Sequence, residues 1–101
     1  ARVAVHAATL GVTPRRLQVK ELRSRWGSCN VDGVLSFAWR IVLAPPFVLD
    51  YLAAHEVAHL KEMNHSRRFW AHVRRCAPDY DRARAWLQEH GCSLHAVGMA
   101  R

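Results

Sequence analysis

The chain has 101 residues, half of them hydrophobic and 23% charged. That is enough for one domain with a modest core, and it excludes a disordered chain. The net charge of +7 invites an acidic or nucleic-acid partner, but composition alone favours a solvated basic surface, and no zinc-finger, homeodomain or RNA-recognition signature is present.

In chain order, residues 1–10 suit a short amphipathic helix carrying Val3, Ala7, Ala8 and Leu10, which Gly11 would end. Thr13-Pro14 opens a turn. Leu17 and Val19 then alternate with Gln18 and Lys20 as in a strand, and the alternation breaks near Glu21-Leu22, which suggests a bend or bulge. A second strand is expected around Arg25-Trp26-Gly27-Ser28-Cys29. Asp32-Gly33 is a hairpin turn signal, and residues 34–39 would return as the third strand. Pro45-Pro46 stops extended structure and suits the start of a helix, which would run to about Lys61. A further helix, about Arg67 to Cys76, would carry Phe69, Trp70 and Val73 toward the core until Pro78 breaks the run. The last helix, about Asp79 to His90, presents Ala83, Trp86 and Leu87, with Gly91 as its cap. Residues 92–101 read as a loose tail. With no repeats or linkers, residues 1–101 read as a single domain of α+β type.

The middle helix carries the chemistry. His55-Glu56-Val57-Ala58-His59 places two imidazoles one turn apart on one helix face, where they can converge on a single ion. Glu56 lies beside the first of them, in reach of a water on that ion. The preceding run from Phe47 to Ala54 is mostly apolar, so this helix should be buried nearly all round. Ionisable groups on such a helix need a reason, because unpaired buried charge is costly, and a metal supplies one. A catalytic zinc site takes three protein ligands and keeps a fourth position open. His65 stands where the third histidine of a HExxHxxGxxH pattern would fall, with Glu62 in the glycine's place. Asn64 could supply the left-handed turn instead, and Ser66 looks like the N-cap of the next helix. His72 and Glu89 compete with His65 for the third position. Cys29, Cys76 and Cys92 form no CxxC pair, which argues against a structural zinc site.

The three widely spaced cysteines suit a reducing, cytoplasmic compartment. There is no signal peptide and no apolar run long enough to cross a bilayer, so no membrane partner is expected. Ala1 stands in place of an initiator Met, which leaves room for segments that precede it.

Several motifs occur together in order: Arg25-Trp26-Gly27-Ser28-Cys29, Trp39-Arg40-Ile41-Val42-Leu43-Ala44-Pro45-Pro46, the HExxH run, Asn64-His65-Ser66-Arg67-Arg68-Phe69-Trp70, and Cys76-Ala77-Pro78-Asp79-Tyr80. Together they resemble the YgjP-like metallopeptidase domain, which is similar to the SprT and Spartan-type zinc proteases. The resemblance covers about residues 10–92. It implies a zincin-like α+β fold, a small antiparallel sheet packed on the HExxH helix. It also implies His55, His59 and His65 as ligands of Zn2+ and Glu56 as the catalytic base. Two departures stand out: Phe37-Ala38-Trp39-Arg40 replaces an expected Leu-Asn-Trp-Arg, and Ala77 is inserted before Pro78.

The expected reaction is metal-assisted hydrolysis of a protein or peptide substrate, with Glu56 taking a proton from water and passing it to the leaving amine. Tyr80, His72 and Arg40 are the candidates for a second oxyanion donor, although each has an ordinary structural use. Substrate would lie extended on the Arg25–Cys29 edge, with Trp26, Gly27 and Ser28 as the substrate-binding residues and Gly27 permitting close backbone approach. Asp50 is a candidate partner for a ligating imidazole, or for a surface pair. The alternative reading is a zinc-containing binding module. Arg15, Arg16, Lys20, Arg23 and Arg25, and on the later helices Arg67, Arg68, Arg74, Arg75, Arg82 and Arg84, would then engage DNA. Spartan-type relatives act on proteins attached to DNA, so the two readings can combine.

Overall fold

The computed structural model describes residues 2–22 and 25–96, the side chains of Val42 and of residues 91–96 excepted. Arg23 and the tail beyond Ala96 lie outside the described residues. The elements, in order, are α1 (Arg2–Leu10), β1 (Arg16–Lys20), β2 (Gly27–Cys29), β3 (Val34–Ala38), a 3-10 helix (Trp39–Leu43), α2 (Pro46–Ala58), α3 (Arg67–Cys76) and α4 (Tyr80–Ala96). The α+β class holds. The chain follows Gly11 out of α1 at a φ of +69°, a conformation that glycine adopts without penalty.

The sheet is mixed, not antiparallel as expected. Its order is β1-β3-β2, with β2 antiparallel to β3 and β1 parallel to it. The hairpin turn commits one edge of β3 to β2. Asn30 shapes that turn: its side-chain oxygen accepts from the backbone N–H groups of Asp32 and Val34, both at 3.0 Å, and Gly33 takes the positive φ. β1 therefore takes the other edge, where it runs parallel to β3. Just past the end of β1, the Glu21 carboxylate ties the chain to the 3-10 helix, accepting from Trp39 Nε1 at 2.7 Å and Arg40 Nη1 at 2.6 Å. Alternating residues read alike in parallel and antiparallel strands, so the sequence pattern did not carry this distinction. The 3-10 helix also shortens the third strand, which ends at Ala38.

α2 runs through the centre, against α1, α3, α4 and β2. Pro46 occupies its first turn, where a missing N–H costs nothing. Val48, Tyr51, Leu52, Ala53, Ala54, Val57 and Ala58 are buried on several faces, as the apolar run predicts. The helix proper ends at Ala58, three residues short of Lys61, and turns carry the chain on. Ser66 caps α3: its hydroxyl accepts from the Phe69 N–H at 3.2 Å, a bond that stabilises such a helix by about 1 kcal/mol. Asn64 does not take the left-handed turn assigned to it, since no described non-glycine residue has a positive φ. The corner from α2 to α3 is built from ordinary backbone angles.

Two other expectations are corrected. α4 passes Gly91 and continues to Ala96. A single interior glycine costs a helix only about 1 kcal/mol relative to alanine, which a long helix absorbs. Of the two uses expected of Asp50, the structure shows the pair, with Arg2, and not support of a metal-site imidazole. It faces α1, where His6 Nε2 stands 2.7 Å from Oδ1 and Arg2 Nε donates to the same oxygen at 2.5 Å. His6 is buried, so this pair fastens α1 to α2. Among the described residues, no helix is long and apolar enough to cross a membrane.

Candidate metal centre

The 3.6-residue period of α2 sets His55 and His59 on one face, and the corner after it brings His65 back to them. One ring nitrogen from each of the three lies within 4.8 Å of the others. Two of these rings are oriented by hydrogen bonds. His59 Nδ1 lies 3.0 Å from the Glu62 carbonyl oxygen, to which it donates, leaving Nε2 with its lone pair for an ion. His55 Nδ1 lies 3.0 Å from Glu56 Oε2. His65 is the most exposed of the three. Loss of solvent around its ring, then the neighbouring His55 and His59, lowers its pKa from the usual 6.5, with Glu56 opposing. That direction favours the neutral ring, the form that can donate a lone pair.

Glu56 is 3% exposed, and its Oε1 is buried with no hydrogen-bond partner. Leaving a buried acceptor unmatched costs about 1–3 kcal/mol, so its retention asks for a function. The carboxylate sits against β2. A Cβ added at Gly27 would stand 3.0 Å from Glu56 Oε2, 3.1 Å from its Cγ and 3.2 Å from the Ser36 carbonyl oxygen. Gly27 thus makes room for the side chain of Glu56, a reason different from the substrate approach expected of it.

These groups line a cleft of about 360 Å³, walled by Gly27, Ser28, Cys29 and Arg25 on the strand side and by His55, Glu56, His59, Met63 and His65 on the helix side. β2 is an edge strand, so the cleft runs beside an open row of backbone groups. Trp26 is not part of this lining and packs against the core instead. The Cys29 thiol is pushed up to about 11, by burial first and then by Glu56, so it stays protonated at neutral pH. Neither rival for the third ligand position reaches the cluster. His72 borders a separate hollow with Leu60, Lys61 and Arg68, and Glu89 is exposed beside His90. None of the three oxyanion candidates lines the cleft: Tyr80 stacks on Trp70, and the buried Arg40 bonds Glu21.

Several residues of this centre escaped the sequence reading. Phe69 is fully buried, and its ring centroid is 5.0, 4.4 and 4.9 Å from those of His55, His59 and His65. Tyr51 meets His55 edge-on at 5.7 Å. Its hydroxyl is pushed up to about 12, by burial first, with Arg84 opposing and Glu56 and Tyr80 adding. The spacing 51, 55, 59 was a usable signal, since it puts Tyr51 one turn before His55 on the same face. Three imidazoles of this kind suit zinc among divalent ions, and their closeness fits such an ion.

A family model described as YgjP-like, metallopeptidase domain, matches residues 1–90. Among solved structures, the crystal structure of the metallopeptidase zymogen of Pyrococcus abyssi abylysin is similar in fold. Its TM-score is 0.71 at 22% identity, over 86% of this chain and 92% of that one. No curated protein sequence matches the chain.

Proposed function

The chain belongs to the YgjP-like metallopeptidase domain family, and from that premise we propose that it is a zinc peptidase in which His55, His59 and His65 hold the ion and Glu56 carries the proton. The observation that supports this best is the meeting of three imidazole nitrogens beside a buried carboxylate with one unmatched oxygen. Zn2+ held there supplies Lewis acidity and a water whose pKa is lowered to about 7. The chain's own groups do the rest. His59, its Nδ1 held by the Glu62 carbonyl, has Nε2 left to offer to the ion. Glu56 takes the proton released by the attacking water and returns it to the leaving nitrogen. The open edge of β2 at Gly27 and Ser28 aligns an extended peptide by main-chain hydrogen bonds, while Trp26 backs that strand from the core.

The test is hydrolysis of an unstructured protein substrate by the metal-free and the zinc-loaded chain. Cleavage that appears with one zinc per chain, stops on chelation and returns with added Zn2+ is the expected result. Cleavage unaffected by chelation would end the proposal. A second reading has its own support: Arg67, Arg68, Arg74 and Arg75 are all exposed on α3, which gives that helix a basic outer face suited to DNA. Binding to duplex DNA that weakens steeply between low and physiological salt is its expected signature, and no binding at low salt would remove it.

A further inference from the structure

His65 differs from its two partners in how it is held. His55 lies in α2 and His59 is its C-cap residue, and each ring has a hydrogen bond from Nδ1. His65 sits in the corner between α2 and α3, and among the described residues its ring has no hydrogen-bond partner. A ligating histidine is ordinarily oriented by a bond to its second nitrogen. What surrounds His65 instead is aromatic. The indole of Trp70 lies stacked along it, 28° from parallel with centroids 6.0 Å apart, while Phe69 meets it edge-on at 4.9 Å.

Trp70 is itself held in place. It stacks on Tyr80 at 5.4 Å and 25°, stands edge-on to Phe69 at 5.0 Å, and carries the Arg84 guanidinium 4.7 Å from its ring centre. The α3 helix, begun by the Ser66 cap, delivers Trp70 five residues after His65. α4 supplies Tyr80 and Arg84. Stacked rings and a cation over an indole are attractive contacts that favour one orientation, and they can fix a ring plane that has no hydrogen bond to fix it.

We propose that Trp70 is the positioning residue of His65: the Tyr80–Trp70–His65 stack, clamped by Arg84, presents the third imidazole to the ion. This rests on the proposed three-histidine site, but the two can fail separately. The probe is the metal alone. Zinc affinity is measured by competition with a chromophoric chelator, and ligand geometry by the visible spectrum of the Co2+-loaded chain.

Trp70→Ala is expected to weaken zinc binding about 10-fold or more, the size of effect typical when an orienting neighbour of a metal ligand is lost. Its Co2+ spectrum should lose intensity as His65 leaves the ion. Trp70→Phe, which keeps an aromatic face, should bring affinity back to within about threefold of the parent. Val73→Ala serves as the control, because it removes buried volume from the same helix three residues on. It should lower Tm and leave zinc affinity and the Co2+ spectrum as they are. Parental affinity and spectrum in Trp70→Ala would overturn the inference. So would a loss of affinity that Val73→Ala shares, or one that Trp70→Phe does not restore. A parent chain that binds no zinc would overturn the metal site itself, and this inference with it.

Discussion

Replacing Glu56 by Gln is expected to lower kcat for peptide hydrolysis by about 10³-fold, within the range that positioned proton transfer contributes, while zinc affinity stays at the parental value. Glutamine keeps the shape and the volume of the side chain, which matters at a site 3% exposed. Its amide oxygen can accept from His55 Nδ1 as Glu56 Oε2 now does at 3.0 Å, so the His55 ring keeps its orientation. What the amide cannot do is take a proton at neutral pH. The two measurements separate the roles cleanly: chelator competition reads the imidazoles, and kcat reads the carboxylate. A Glu56→Gln chain that hydrolyses peptide at the parental rate would remove Glu56 from the proton path, whatever its zinc content.

Gly27→Ala is expected to lower kcat about 10- to 100-fold with zinc affinity and fold retained, because misplacement of a reacting group by up to 1 Å can cost that much. The added methyl would stand 3.0 Å from Glu56 Oε2 and 3.2 Å from the Ser36 carbonyl oxygen. The backbone oxygen belongs to β3 and cannot yield, so the carboxylate must. Buried between α2 and β2, it has little space to move into without leaving its place beside the histidines. The backbone of Gly27 has no positive φ, so alanine meets no conformational strain there. A smaller Tm change than activity change is the mark of this mechanism. Parental kcat in Gly27→Ala, with the variant folded, would show that the carboxylate tolerates the methyl and that Gly27 has another purpose.

Both predictions rest on contacts of different legibility. The HExxH spacing follows from the helical period alone, so the closeness of His55 and His59 was readable from the chain. Ser66 was readable as a cap for the same kind of reason: a hydroxyl three residues before a free N–H is a local arrangement. Gly27 was readable as a place of close approach, but not what approaches it. Glu56 lies 29 positions away, and only the packing of α2 on β2 joins them. Asp50 was a plausible neighbour of the ligands by position along α2. Its helix face turns it toward His6 on α1 instead.

By itself the sequence determined the α+β class, the run of helices from Pro46, the residue types that could ligate a metal and the family whose model the chain matches. Those follow from side-chain periodicity, turn chemistry and capping, each of which acts over a few residues. Tertiary structure alone decided the direction of β1, the fit of Glu56 against Gly27, and the aromatic surroundings of His65. These depend on which surfaces of distant segments fit together, a choice made by packing and burial over the whole domain, and one that no local pattern along the chain encodes.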